Sequence, residues 1–514
     1  MKKTIITLIS GLVIATGLFA QKTEGEFIAL REEYTLGADG SVVYKQHKEL
    51  KINTLFALNN LYGETFIVYN PEFQTLTVDA CHTVQADGTV IPLPPNALNE
   101  VLPSAAADAP AYNHLKEMVV THTGIEPGAV IFLDYTITTK PGFPGAGDIF
   151  RKFDEVSPVK NYSLTVKVPA GEKLIVSQNI GSKVSVSPDG TVYKLTASGI
   201  PGRVNEMFTP ADDVPYVYAS LLAGQGAGSL FTLIPNENLS NLASEICKGK
   251  TDEKEKMDAI FAWMTENLGI SALPLRYAGK IRPSSEVISS AYGTFEERAA
   301  LMLNLAKAAG IDAELVAQFA PTYPVNLQTL SGAMWLKACG KLYSTAGGFS
   351  RDADSINGRY QTLTSNNKLE EFQPKPETVS IDEEIVLDGK NATQAGNYLV
   401  CTIPAARKGF DSWGIRNLNS FRTYPFEIPS QLDEKVTYRI TAKEGTIVTE
   451  PFEKTLSGPA GTVKVKLTVD GNTAVYTREA KFTKEIIPVK EYASFRAQAN
   501  LLKDDAYRRI VVKK

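Results

Sequence analysis

The chain has 514 residues, of which 53 are basic and 57 acidic, so its formal net charge is only -4 at pH 7. Charges of both signs are mixed along the sequence, which excludes a basic stripe for nucleic acid and an acidic tail. The four cysteines, Cys81, Cys247, Cys339 and Cys401, are too few and too widely spaced for a disulfide framework, and none lies at a zinc-binding spacing. We therefore expect buried free thiols, or at most one bridge, with no metal site and no cofactor.

The start of the chain resembles an export signal. Two lysines follow the first methionine, and residues 4–19 form an apolar run without any charged residue. Ala20 then precedes the polar Gln21. This pattern predicts a signal peptide over residues 1–20 that is cleaved to give a periplasmic or secreted product. Because no cysteine follows the cut, the product is not expected to be a lipoprotein. Beyond residue 20 no apolar stretch approaches the roughly 20 residues of a transmembrane helix.

Residues 27–202 carry the alternating pattern of half-buried β-strands. Apolar and polar residues alternate from residue 76 to residue 84 and again from residue 164 to residue 168. Asp-Gly pairs at residues 39–40, 87–88 and 189–190 each precede a new β-rich run, which indicates tight hairpins. We predict an antiparallel β-sandwich for residues 21–228.

The hydrophobic period changes in the middle of the chain. Apolar residues recur at three- and four-residue steps between residues 257 and 268, which predicts an amphipathic helix. A second helix is predicted to begin after Thr294, because Glu297 completes a T-x-x-E capping box, and to end at Gly310. Strands are predicted at residues 311–320, 334–338 and 342–345, whereas the polar residues 347–375 suggest a loop or linker. Residues 229–375 are therefore expected to form an α+β domain.

β patterning returns after residue 377. Residues 463–469 alternate, the turn Asp470-Gly471 follows, and residues 474–477 form the predicted return strand. A short helix at residues 489–502 and a terminal strand at residues 509–512 complete the pattern. We predict a β-rich C-terminal domain over residues 376–514.

Three motifs in this order resemble a known family. They are GIEPGAVI at residues 124–131, GTFEERAA at residues 293–300 followed by GIDA at residues 310–313, and FRTYPF at residues 421–426. Together they resemble a group of secreted bacterial proteins, largely from Bacteroidetes. The resemblance implies an α+β multidomain fold with an N-terminal β-sandwich domain of unknown function, a transglutaminase-like domain of papain-like fold and a C-terminal β domain.

The resemblance also implies where a catalytic triad would lie. In the superfamily a cysteine at a helix N-terminus is the nucleophile, a strand histidine is its base and an aspartate on the next strand orients the histidine. Here the cysteine position falls on Phe295. Residues 340–341 align with the turn between the last two strands of the family's domain. This alignment puts the histidine position on Ala333, with Gly332 or Met334 as alternatives, and the aspartate position on Thr345. None of these side chains can perform the chemistry of the family.

The histidine count supports the same conclusion without the alignment. All four histidines lie at or before His122, so no imidazole is encoded in the helix and strand region of the triad. We therefore predict a non-catalytic pseudoenzyme that acts as a binding or scaffold protein in the cell envelope, with a peptide, a glycan or a protein as its partner. The candidate residues of its binding cleft are Tyr292, Phe295, Trp335 and Cys339.

Two other functions remain open at this stage. The chain could be a cysteine- or serine-dependent peptidase or amidase with a relocated nucleophile, for which Cys339 and Ser290 are the candidates. Cys81 and His82 are adjacent on a strand and point to opposite faces, so no dyad is predicted there. Alternatively, the β domains bind the partner and the central domain is a spacer.

The acidic residues at positions 352, 354 and 382–384 lack the spacing of a calcium loop and are predicted to be solvated.

Overall fold

The computed structural model describes residues 23–221, 229–353, 358–388, 390–416 and 418–514. The predicted signal peptide and the acidic residue Asp354 lie outside these ranges. Within them no helix is both long enough and apolar enough to cross a membrane. Two β-rich domains flank a central domain in which helices pack on a sheet, which confirms the predicted fold class.

The N-terminal domain is a β-sandwich built on one large sheet. Its strands are β1 (Gly25–Leu36), β2 (Val42–Ile52), β3 (Glu64–Tyr69), β4 (Gln74–Val84), β5 (Val90–Pro92), β6 (Leu98–Val101), β7 (Lys116–Thr121), β8 (Val130–Thr139), β9 (Ile149–Lys152), β10 (Val159–Lys167), β11 (Leu174–Gln178), β12 (Val184–Val186), β13 (Val192–Ile200) and β14 (Tyr216–Leu221). The large sheet has the order β12-β13-β10-β1-β2-β8-β4-β5, and the small sheets β11-β14-β9 and β3-β7-β6 pack against it. Gly40, Gly88 and Gly190 have φ angles of +84°, +90° and +72°, as the Asp-Gly hairpin turns require.

The central domain contains most of the helices. Its elements are α1 (Ser229–Thr232), α2 (Ser240–Ile246), α3 (Glu253–Asn267), β15 (Gly269–Ser271), α4 (Leu275–Ala278), α5 (Ser284–Ser290), β16 (Tyr292–Thr294), α6 (Phe295–Ala308), β17 (Ala313–Phe319), β18 (Leu330–Ala338), β19 (Lys341–Ser344), β20 (Ser350–Asp352), β21 (Tyr360–Thr364) and β22 (Leu369–Phe372). The sheet order is β20-β19-β18-β17-β21-β22. Helix α6 packs on one face of this sheet, where Leu315, Met334, Leu336 and Leu363 are buried in the same core as Leu301.

The prediction of a loop or linker at residues 347–375 was wrong. The structure places three strands of the central sheet there, and every residue of β21 is buried. The many polar residues of this segment suggested exposure to solvent. They can be buried because distant backbone groups form hydrogen bonds with their side chains. Gln361, for example, donates to the carbonyl oxygens of Ala320 and Pro321 at 3.0 and 2.7 Å.

The C-terminal domain consists of two sheets and one long helix. Its elements are β23 (Glu377–Leu387), β24 (Thr393–Ala395), β25 (Tyr398–Thr402), β26 (Phe426–Glu427), β27 (Leu432–Ala442), β28 (Thr446–Ile447), β29 (Phe452–Gly458), β30 (Gly461–Asp470), β31 (Thr473–Phe482), β32 (Ile486–Ile487), α7 (Val489–Lys503) and β33 (Arg509–Lys513). The larger sheet has the order β23-β27-β31-β30-β29, and α7 packs beside β29 and β30. The predicted helix at residues 489–502 and the terminal strand are confirmed.

The FRTYPF motif joins the N-terminal and C-terminal domains. The buried Glu206 carboxylate accepts hydrogen bonds from the backbone N–H groups of Thr423 and Tyr424, at 2.8 and 3.1 Å. Arg422 donates in return to the carbonyl oxygen of Met207 at 2.7 Å. The motif is therefore explained by contact between domains, with both charged groups buried and hydrogen-bonded.

Candidate functional site

The start of α6 is built as the sequence predicts. Thr294 is the N-cap, and its hydroxyl oxygen accepts from the backbone N–H of Glu297 at 3.3 Å. The Glu297 carboxylate accepts in turn from the N–H of Thr294 at 2.9 Å, which completes the capping box. Phe295 is the first helical residue and is half-buried. A thiol at this position would gain from the positive end of the helix dipole, but an aromatic ring carries no group that can use it.

Glu297 also anchors the N-terminal domain to the start of α6. Its carboxylate is fully buried and accepts from Arg282 Nε at 2.7 Å and from the Tyr112 hydroxyl at 2.5 Å. Burial disfavours the Arg282 charge, but the carboxylate raises the pKa of Arg282 above its ordinary value. The N–H of Ala111 donates to the Tyr292 hydroxyl at 2.7 Å. The segment around Tyr112 therefore covers this end of the central domain.

Hydrogen bonds connect helix α6 with Thr345 and with the backbone of β18. Arg298 lies one turn after Phe295 and donates through Nε to the carbonyl oxygen of Thr345 at 2.9 Å. The Thr345 hydroxyl is buried and donates to the carbonyl oxygen of Met334 at 2.8 Å, next to Ala333 on β18. Helix α6 and strand β18 are thus both bonded to Thr345, the residue that follows β19, and the Thr345 hydroxyl is committed to the backbone.

A buried carboxyl group directly follows Phe295 in α6. Glu296 is only 4% exposed, and one of its oxygens, Oε2, has no hydrogen-bond partner in the described part of the chain. Burial raises the pKa of Glu296 to about 7. The group is therefore largely protonated below neutral pH, and it supplies no fixed negative charge to orient a base.

The four predicted cleft residues occupy different places. Tyr292 and Phe295 lie at the start of α6, Trp335 lies on the sheet face opposite to α6, and Cys339 lies in the turn between β18 and β19. Cys339 and Gly340 both have positive φ angles, +50° and +73°, as a two-residue hairpin turn requires. The turn is at the end of β18 away from Ala333, and six residues of strand separate the two by roughly 20 Å.

The two candidate relocated nucleophiles have unfavourable surroundings. Burial, together with acidic residues on and before α3, raises the pKa of the Cys339 thiol, which opposes formation of a thiolate. The Ser290 hydroxyl donates to the carbonyl oxygen of Val287 at 3.2 Å and accepts from Arg282 Nη1 at 3.0 Å. Its described contacts include no base that could take its proton.

One thiol–imidazole contact was not predicted. Cys81 Sγ lies 3.6 Å from His122 Nδ1, and His122 Nε2 lies 2.8 Å from the Thr65 hydroxyl, which also accepts from Lys48 at 2.7 Å. Burial raises the pKa of Cys81 to about 11 and lowers that of His122 to about 3, so both are neutral near pH 7. No local sequence signal could have found this pair, because its members are 41 residues apart: Cys81 lies on β4, and His122 follows β7, a strand of another sheet.

The remaining sequence-based expectations concern cysteines and metal ions. All four cysteines are unpaired; Cys247 and Cys401 are buried, and Cys81 and Cys339 are partly exposed. Among the described residues no group of three or more His, Cys, Asp or Glu side chains is arranged to hold a metal ion. His82 stacks on Phe132 with ring centres 4.7 Å apart and is not part of the Cys81 contact.

Family models match three successive parts of the chain. The domain of unknown function DUF3857 matches residues 38–203, the transglutaminase-like superfamily matches residues 240–348, and the domain of unknown function DUF3858 matches residues 397–512. No curated protein matches the chain. The three matches cover both β domains and the central domain in the order that the motifs indicate.

Among solved structures, the "putative protease" of Parabacteroides distasonis ATCC 8503 is 32% identical, with a TM-score of 0.79, and the match covers 96% of this chain and 99% of that one. A "putative cysteine protease" from Cytophaga hutchinsonii is 14% identical, with a TM-score of 0.19 over 44% of this chain and 90% of that one. The M1 zinc metallopeptidase of Deinococcus radiodurans is 10% identical, with a TM-score of 0.22 over 47% and 53%. TM-scores this low do not establish a shared fold. The full-length match and the three family models show that the chain belongs to the bacterial family that combines a DUF3857 domain, a transglutaminase-like core and a DUF3858 domain.

Proposed function

We propose that this protein is a non-catalytic member of the transglutaminase-like superfamily that acts as a binding or scaffold protein in the cell envelope. The observation that carries the proposal is the start of α6. It has a complete capping box and is supported by Arg298, and the position that the family resemblance assigns to the nucleophile carries Phe295. A helix start that keeps its structural hydrogen bonds and lacks its reactive group is suited to binding and not to acyl transfer.

The surroundings of Phe295 support the same proposal. The Thr345 hydroxyl is bonded to backbone, and Glu296 is a buried carboxyl group whose raised pKa keeps it from serving as a fixed anion. The Tyr112 segment of the N-terminal domain packs over this end of the central domain, which narrows access to it. Together these features favour a partner-binding surface that spans both domains, with a peptide, a glycan or a protein as the partner.

The test is an activity assay on the purified protein with peptide hydrolysis and amine-transfer substrates. The proposal predicts no turnover above the buffer rate. A Phe295→Cys variant provides a matched control, because its thiol at the helix N-terminus should react with iodoacetamide at neutral pH faster than the four native thiols. Turnover by the wild-type protein that Cys339→Ser or Ser290→Ala abolished would contradict the proposal.

The second candidate function is a peptidase or amidase with a relocated nucleophile. One observation favours it, the 3.6 Å contact between Cys81 Sγ and His122 Nδ1. The neutral state of both groups weighs against it, since a thiol with a pKa of about 11 is a poor nucleophile near pH 7. Loss of a measured activity in both Cys81→Ser and His122→Gln would favour this function over the first.

A further inference from the structure

A cleft of about 360 Å³ lies between the N-terminal domain and the central domain. Its walls include residues 142–148 and Ser220 of the N-terminal domain, and Leu233 and Leu327 of the central domain. We call it the interdomain cleft. Its volume lies within the range of small-ligand sites, which often occur where two domains meet.

The loop between β8 and β9 leaves room in the interdomain cleft. It has glycine at positions 142, 145 and 147, and a side-chain carbon added at Gly142 or Gly147 would meet no atom within 4 Å. A carbon added at Gly145 would lie 3.3 Å from the Leu327 side chain and 3.6 Å from Asp148 Oδ2. A carboxylate oxygen of one domain and an aliphatic side chain of the other therefore lie on the same side of the loop. A ligand with a charged end and an aliphatic part can contact both.

The carboxylate of Asp148 is held in place by the fold. Ile149 pairs with Ala219 on β14, so Asp148 lies beside Ser220 on the neighbouring strand. Ser220 is only 2% exposed, and its hydroxyl donates to Asp148 Oδ1 at 2.6 Å. The backbone N–H of Asp148 donates to the carbonyl oxygen of Gly145 at 3.0 Å. The carboxylate is therefore oriented before any ligand binds, as a recognition site requires.

The negative charge of Asp148 has no counter-charge in the described part of the chain. No basic side chain there forms an ion pair with it, and Ser220 is its one described side-chain partner. Asp148 lines the interdomain cleft and is partly exposed, and Oδ2 is not one of the described polar atoms that are sealed from solvent without a partner. Burial raises the pKa of Asp148, and the Ser220 hydrogen bond opposes this only in part. A cation in the cleft would supply the missing compensation.

The surroundings of Asp148 suit an ammonium group better than a guanidinium group or a metal ion. A guanidinium binds best when it donates to both oxygens of a carboxylate, and Ser220 already bonds to Oδ1. A calcium ion would need roughly six to eight oxygen ligands. Among the described residues no group of three or more His, Cys, Asp or Glu side chains could hold a metal ion. An ammonium group is a compact charge that a single carboxylate oxygen can bind.

We propose that the interdomain cleft binds a primary ammonium group on an aliphatic chain, as in the side chain of a peptide lysine. The ammonium group lies beside Asp148, and the aliphatic chain contacts Leu233 and Leu327. The residues that line the cleft do not include Phe295 or either candidate relocated nucleophile. The site therefore operates in the same way whether or not the start of α6 is reactive.

The test is isothermal titration calorimetry of the full protein with three amino-acid derivatives. They are the Nα-acetyl amides of lysine, norleucine and arginine, in which the backbone charges are blocked. Norleucine has the carbon chain of lysine without the ammonium group, so its derivative should bind about tenfold more weakly or worse than the lysine derivative. The arginine derivative should also bind more weakly, because only one carboxylate oxygen is free for its planar group.

Two variants separate the ligand site from the fold. Asp148→Asn removes the charge but keeps the volume and an oxygen for the Ser220 hydroxyl, so it should weaken binding of the lysine derivative by about tenfold or more. Because burial disfavours the Asp148 charge, this variant should not lower the melting temperature near neutral pH. Asp79→Asn is the matched control. Asp79 also accepts from a hydroxyl, that of Thr136 at 2.6 Å, but it is exposed on β4, so its substitution should leave binding unchanged.

Three results would overturn the inference. If the lysine and norleucine derivatives bound equally, or if neither bound at roughly millimolar concentration, Asp148 would not recognise an ammonium group. If Asp148→Asn melted like the wild type and bound the lysine derivative equally well, the ligand would bind elsewhere. If the arginine derivative bound more tightly than the lysine derivative, the cleft would select a guanidinium group and a primary ammonium would be the wrong ligand.

Discussion

The buried cluster of Glu297, Arg282 and Tyr112 should be a main anchor between the N-terminal and central domains. Glu297→Gln removes the carboxylate but keeps the side-chain volume, and it leaves Arg282, whose side chain is 4% exposed, as an uncompensated cation. Breaking a buried ion pair in this way costs roughly 3–5 kcal/mol. That is a large share of the roughly 5–15 kcal/mol that stabilises a typical folded protein.

Urea unfolding of the full chain measures this cost. Unfolding of three domains need not be two-state, so the shift of the first transition is the quantity to compare. Tyr112→Phe removes one hydrogen bond to the same carboxylate and should cost about 1.5–3 kcal/mol. The double variant should lose less than the sum of the two, because both substitutions disrupt one contact.

The matched control is Glu314→Gln. Glu314 forms an ion pair with Lys337, and their side chains are 23% and 45% exposed, respectively. A pair this exposed is worth at most about 1 kcal/mol. If Glu297→Gln shifted the transition no more than Glu314→Gln, the cluster would not anchor the two domains and the reasoning would be refuted.

Three further predictions concern the start of α6 and the thiols. Thr294→Ala should destabilise the protein by about 1 kcal/mol in urea, because it removes one half of the capping box; an unchanged midpoint would contradict this. Burial raises the pKa of Glu296 from 4.5 to about 7, so the folded chain retains a proton that the unfolded chain loses, and stability should fall as pH rises through this window. Glu296→Gln should match the wild type near about pH 4 and exceed it by up to ~3 kcal/mol near about pH 8, whereas parallel pH profiles would refute the assignment. Cys81 and Cys339 have raised thiol pKa values, so a thiol-exchange reagent should modify both slowly near neutral pH; rapid modification of either would show an activated thiolate.

The helix boundaries could be predicted because their signals are local. Thr294 and Glu297 are three residues apart and bond to each other, and Gly310 adopts a φ of +75° just after α6. The Asp-Gly hairpins of the N-terminal domain are equally local. In these cases the residues that determine the conformation lie within one turn of the chain.

The contacts that shape the candidate site and the central sheet could not be predicted from the sequence, because they join distant parts of the chain. Tyr112 and Glu297 are 185 residues apart and meet only when two domains pack together. β21 has a polar sequence, and Gln361 is buried because three distant carbonyl groups accept from its amide.

The most direct test of the central claim is covalent labelling of the purified protein with electrophilic probes for activated cysteine and serine nucleophiles, followed by mass spectrometry. Papain and a serine hydrolase serve as positive controls under the same conditions. A non-catalytic protein should give no rapid single-site adduct. A stoichiometric adduct at Cys81, Cys339 or Ser290, lost together with peptide hydrolysis when that residue is substituted, would contradict the account.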